Sequence, residues 1–225
     1  MRVIITGSTG MVGKGVLFQC IEDDRIKEIL LINRTSLNID HPKVKELLCE
    51  DFLKLEKYKK EFYDYDGCFH CMGMSAVGAP SKLYYKVTYE MTKILTDLVF
   101  QGNKKAVFNY VTGEGTDSKE KSPIEWARVK GKAENYILNK GFKDAYMFRA
   151  GVIIPEKGIK SRTPLYNFFY VLMWPFFPLM KLLPFITTTN KIGDAMIYTL
   201  FNNDKNKIFI HRVNTNSKRS IQKKA

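Results

Sequence analysis

The residues best suited to chemistry in this sequence are Thr6-Gly7-Ser8-Thr9-Gly10-Met11-Val12-Gly13. Glycines at that spacing, after a strand and at the start of a helix, suit a loop that cradles a pyrophosphate. Gly7 allows the tight turn. Gly10 lets the backbone approach the phosphates, and Gly13 lets the helix pack close to a sheet. Ser8, Thr9, Met11 and Val12 complete the loop and the first turn. There the helix offers free N–H groups and the positive end of its dipole. Further on, an acidic residue would bind a ribose 2′-hydroxyl and favour NAD. The sequence instead reads Asn33-Arg34-Thr35-Ser36. Arg34 can fork onto a 2′-phosphate, and Thr35 and Ser36 can add hydroxyl donors. The pattern predicts an NADP(H) site, with NAD(H) as the alternative.

The elements that must position these residues are legible as apolar runs. Arg2–Thr6, residues 29–32, 44–49, 67–72, 106–111 and 145–148 read as strands. Such runs fit a parallel sheet covered on both faces. Helices are expected over residues 14–22, 84–100 and 123–139, the last opened by Pro123 and ended near Gly141. Alternation of this kind over 150 residues predicts a Rossmann-type, doubly wound α/β sheet. The expected organisation is one domain over residues 1–225. Residues 1–150 form the cofactor-binding core, and residues 151–225 a small C-terminal elaboration on the substrate side.

With these residues in view, the sequence resembles the extended and atypical short-chain dehydrogenase/reductases. It is most similar to their Tat-interacting-protein-like, epimerase/dehydratase-related subgroup. The resemblance rests on the glycine loop and on Cys49-Glu50-Asp51-Phe52, Cys71-Met72-Gly73 and Val87-Thr88-Tyr89. Tyr110-Val111-Thr112-Gly113, Ala127-Arg128-Val129-Lys130-Gly131-Lys132 and Phe148-Arg149-Ala150-Gly151 complete it. It covers about residues 1–160. It implies that Asp51 binds the adenine amine, that Phe52 lies along the adenine ring, and that Cys71, Met72 and Gly73 line the cofactor. Active family members use a Ser/Thr, a Tyr and a Lys, the last two spaced four apart so that they share a helix face. The resemblance implies that Thr112 polarises the substrate oxygen and Lys130 holds the nicotinamide ribose. The tyrosine position is occupied by Trp126, whose indole N–H has no acid–base chemistry near neutral pH. Trp126 would then wall the pocket. Tyr84, Tyr85 and Tyr89 are other phenols, and the sequence does not choose among them.

The composition, 45% hydrophobic and 26% charged, is that of a globular chain. The formal charge of +13 has its densest excess in the tail, where Lys205, Lys207, Arg212, Lys218, Arg219, Lys223 and Lys224 face only Asp204. The tail reads as solvated, with no specific nucleic-acid site. The four cysteines read as free thiols in a cytoplasmic protein. Cys68 and Cys71 have metal-ligand spacing, but no second pair completes a site, so no metal is expected. Residues 164–186 are strongly apolar, yet Pro175, Pro178, Pro184 and Lys181 argue against a spanning helix. A lid over a small hydrophobic substrate, a homodimer surface and a peripheral membrane contact remain as readings. The expected function is NADP(H)-linked oxidoreduction or isomerisation of a small hydrophobic carbonyl compound. A non-catalytic NADP(H) sensor or adaptor that meets a protein or membrane is the alternative.

Overall fold

A computed structural model describes residues 1–159, residues 186–203 and the backbone of residues 208–210. In chain order the elements are β1 (Arg2–Thr6), α1 (Met11–Glu22), β2 (Glu28–Asn33) and β3 (Val44–Leu48). A 3₁₀ stretch (Phe52–Phe62) leads to β4 (Gly67–His70). Then come α2 (Ser81–Tyr85), a π-type turn (Lys86–Glu90), α3 (Met91–Gly102), β5 (Val107–Gly113), α4 (Glu125–Leu138) and β6 (Asp144–Ala150). The rest are β7 (Val152–Ile154), β8 (Ile186–Thr188), α5 (Thr189–Phe201) and β9 (Ile208–Ile210).

Seven strands form one sheet in the order β3-β2-β1-β4-β5-β6-β9, every pairing parallel. Parallel strands need covering on both faces, and the alternation of side chains along each strand supplies two apolar layers. Ile4, Leu30, Ile32, Cys68, Phe108 and Tyr110 face α3, α4 and the 3₁₀ stretch. Val3, Ile5, Ile29, Leu31, Phe69 and Val107 face α1 and α5. Strand order reverses between β1 and β4, which opens a crevice above their C-terminal ends. That crevice positions the site.

The chain departs from the sequence expectation in four places. The helix expected over residues 84–100 is interrupted by the π-type turn, which carries the buried Thr88. Helix α4 starts at Glu125, two residues after Pro123. Strand β5 runs on to Gly113 and takes in Thr112. Helix α5 adds a layer against α1, where Gly15 and Gly193 allow close approach: a Cβ on Gly15 would stand 2.5 Å from the Thr189 Cβ. Residues 160–185, most of the apolar segment, and the basic tail from residue 211 lie outside the described residues. No helix among the described residues is long and apolar enough to cross a membrane.

Candidate functional site

The glycine loop turns at Gly7, whose φ of +72° suits a residue without a side chain. A Cβ there would come within 2.6 Å of the Met72 nitrogen, so loop and β4 end are pressed together. A Cβ on Gly13 would collide with the Gly7 carbonyl oxygen and stand 2.9 Å from the Ser8 Cα. Gly10 folds back, its N–H donating to the Gly7 carbonyl at 2.9 Å. The first helical bond inside α1 runs from Lys14 N–H to Gly10. The amides of Met11, Val12 and Gly13 therefore find no acceptor among the described residues, and no side chain caps this end. The first turn holds no acidic residue. These are the conditions for holding an anion.

At the end of β2, Asn33 is buried, and Arg34, Thr35 and Ser36 are exposed. Ser8 Oγ donates to Asn33 Oδ1 at 2.9 Å, tying the glycine loop to this strand end. An acid that the sequence reading does not place here enters from β3. Glu46 Oε1 accepts from Asn33 Nδ2 at 3.2 Å and from the Leu37 N–H at 3.0 Å, and its other oxygen accepts from Ser36. The β2–β3 register, which sets Glu46 opposite Leu31, is what delivers it.

Asp51 begins the 3₁₀ stretch, with one carboxylate oxygen accepting from the Leu53 N–H at 3.1 Å. Phe52 corrects an expectation. It is 2% exposed, in the apolar layer with Leu55 and Phe62, so its ring is core and does not lie along an adenine. Cys71 and Met72 are half-buried and Gly73 exposed at the mouth of the crevice. Burial pushes the Cys71 thiol up to about 12, which keeps it protonated. Among the described residues no group of three His, Cys, Asp or Glu is placed to hold a metal ion.

The expected catalytic positions come together on β5 and α4, but not as expected. Thr112 Oγ1 donates to Glu134 Oε1 at 2.6 Å. In this arrangement the hydroxyl proton of Thr112 goes to that carboxylate. Glu134 is fully buried and forms a forked ion pair with Arg149, which also donates to Ser118 at 2.5 Å. On the same helix face, four residues earlier, Lys130 makes no hydrogen bond among the described residues. Burial lowers its ammonium to about 8, against the pull of Glu134. Trp126 is half-buried, its ring 3.1 Å from where a Cβ on Gly115 would sit. It covers the loop between β5 and α4.

The tyrosines also separate. Tyr85 accepts a hydrogen bond from Lys132 at 2.8 Å, and the Tyr89 ring lies 4.4 Å from the same ammonium. Residues 130 and 132 point to different sides of a helix, so both phenols face away from Lys130. Tyr84 is 3% exposed. Within reach of the Lys130 charge is His70, which sequence reasoning missed because it reads as one more strand residue. Its ring bridges Thr6 at 2.6 Å and Thr92 at 2.9 Å and stacks on Tyr110. Burial, aided by the Lys130 charge, pushes it down to about 3 and keeps it neutral.

No family model matches the chain. It is 26% identical over 157 residues to Protein HTATIP2 of Rattus norvegicus, covering 69% of this chain and 64% of that protein. It is 24% identical over 162 residues to the mitochondrial Protein FMP52 of Meyerozyma guilliermondii, covering 70% and 67%. The matches thus span about two thirds of these relatives' length. Among solved structures, the Bordetella bronchiseptica enzyme WbmH in complex with NAD+ superposes with a TM-score of 0.67 at 14% identity, over 90% of this chain and 72% of that one. The UDP-glucose 4-epimerase of Thermotoga maritima with UDP-glucose gives 0.68 at 12% identity, over 93% and 76%. The structural neighbours share the Rossmann-type fold, and in sequence the chain is similar to HTATIP2 and FMP52, in keeping with its resemblance to the atypical short-chain dehydrogenase/reductases.

Proposed function

We propose that the protein binds NADP(H) in the crevice above β1 and β4 and oxidises or reduces a small, fairly hydrophobic carbonyl compound. The observation that carries this reading is Lys130, held in the fold without a hydrogen-bond partner among the described residues and with its ammonium lowered to about 8. The residues fit a dinucleotide: Gly7 and Gly13 leave no room for a Cβ, and the α1 amides beside them have no acceptor among the described residues. The glycine loop would hold the pyrophosphate, Asp51 the adenine amine, Arg34 the 2′-phosphate and Lys130 the nicotinamide ribose. When bound, the nicotinamide supplies or accepts a hydride at the substrate carbon. The NAD complexes of structural neighbours support a nicotinamide dinucleotide, and Arg34 supports the phosphorylated form.

Lys130 also answers the loss of the tyrosine. An ammonium titrating near 8 can give its proton to an alkoxide forming on the substrate and recover it from solvent. Trp126 would supply an apolar wall, and the buried Glu134–Arg149 pair would hold α4 and β6 in place around it.

The test is NADPH consumption against a panel of small aldehydes and ketones at pH 6–9. Turnover that survives Trp126→Phe and disappears in Lys130→Ala is the expected result. Tight NADPH binding with no turnover on any carbonyl would favour the second reading, a non-catalytic NADP(H) sensor. Two observations speak for that reading: Trp126 at the tyrosine position, and the Thr112 proton spent on Glu134.

A further inference from the structure

We infer that Glu46 is a positioning residue for cofactor choice: it fixes the loop that presents Arg34, and so sets the preference for a 2′-phosphate. The inference rests on the NADP(H) reading and deepens it.

The Glu46 carboxylate accepts from three groups of one short loop: the Asn33 amide at its start, the Ser36 hydroxyl, and the Leu37 N–H. Ser36 Oγ in turn accepts from the Asn38 N–H at 2.9 Å, where the backbone turns through a φ of +51°. On either side of it, Leu37 and Ile39 pack on the apolar layer under α1. At the near end, Asn33 is held by Ser8 of the glycine loop. An unbroken path of hydrogen bonds therefore joins the phosphate cradle to residue 38. Within it Arg34 and Thr35 alone are spanned, exposed, between the anchors Asn33 and Ser36.

A carboxylate bonded to both ends of a loop that carries an arginine could instead pair with it. Here the acceptor positions of Glu46 go to uncharged donors, and Arg34 makes no hydrogen bond or ion pair among the described residues. The acid anchors the loop without neutralising the cation. Glu46 itself sits on β3, whose pairing with β2 runs the length of the strand, so the anchor is rigid. A cofactor without the 2′-phosphate gains nothing from a fixed Arg34. One with it gains a pre-placed partner and avoids the cost of ordering the loop on binding.

The experiment measures NADPH and NADH dissociation constants for the full chain and for Glu46→Ala, Glu46→Gln, Arg34→Ala and the double variant Glu46→Ala/Arg34→Ala. Glu46→Ala should weaken NADPH about tenfold, the scale of one hydrogen bond to a charged group, and leave NADH within about twofold. Glu46→Gln keeps a carbonyl acceptor and should fall between. On the Arg34→Ala background the Glu46 change should have no further effect on NADPH. Equal weakening of both cofactors would reduce Glu46 to a structural role and overturn the inference. So would unchanged NADPH affinity, or tighter NADPH binding once the negative charge is gone. If the unmodified chain binds neither cofactor, or both alike, the NADP(H) reading itself fails.

Discussion

Replacing Lys130 with methionine should make the protein more stable. Burial lowers the ammonium from 10.5 to about 8, with Glu134 opposing. Each tenfold loss of proton affinity is worth about 1.4 kcal/mol, so keeping the charged form inside the fold costs roughly 3 kcal/mol. Methionine keeps an unbranched stem of similar length and leaves the Glu134–Arg149 pair intact. Below pH 8 the lysine is protonated in both the folded and unfolded chain, and the whole cost is present. Between 8 and 10.5 the folded lysine has lost its proton while the unfolded one keeps it, so the unfolded state binds more protons and stability rises with pH. Above 10.5 nothing is left of the effect. Urea unfolding of both proteins between pH 7 and 10.5, followed by tryptophan fluorescence, reads this directly. Lys130→Met should lead by about 2–3 kcal/mol at pH 7, and the lead should shrink steadily above pH 8. It should also abolish carbonyl turnover, because the ribose contact and the proton are gone together. A variant less stable than the parent at pH 7, or a difference that ignores pH, would refute the reasoning.

Glu134→Gln leaves the Arg149 charge buried with a weaker partner and should cost about 3–5 kcal/mol in chemical denaturation, part of which a second change, Arg149→Met, should restore. Gly13→Ala drives a Cβ into the Gly7 carbonyl and should abolish NADPH binding in a fluorescence titration while costing about 1–3 kcal/mol of stability. Trp126→Tyr places a phenol four residues before Lys130, and NADPH consumption with a responsive aldehyde should rise at least about tenfold. Unchanged turnover in that variant would count against Trp126 as the position that limits proton transfer.

The sheet and the glycine loop were legible because their signals are local. Ile29-Leu30-Leu31-Ile32 is apolar on both faces, which only a covered parallel strand requires. Gly7, Gly10 and Gly13 sit between a strand and a helix, where each absent side chain has a mechanical reason. The rest of the site depends on pairing between distant segments. A search along β2 for an acid does not meet Glu46, because strand register alone brings it there. Glu134 looks like one charge among many on a lysine-rich helix. Its signal is position: it falls seven residues after the buried Ala127, on the face that turns inward. Thr112 shows the limit of resemblance. Its hydroxyl bonds a carboxylate from another element, a contact that the family position does not announce. Phe52 is similar, since its place after Asp51 does not reveal that the ring is consumed by the core.

The central claim is that the crevice above β1 and β4 holds NADP(H), and titration of the purified protein with NADPH and NADH tests it most directly. Quenching of the tryptophans, Trp126 among them, would report occupancy. The account predicts saturable NADPH binding, NADH binding at least about tenfold weaker for want of the Arg34 contact, and neither in Gly13→Ala. No binding of either dinucleotide to the unmodified protein would contradict it, and would leave the Rossmann sheet as a scaffold for some other surface.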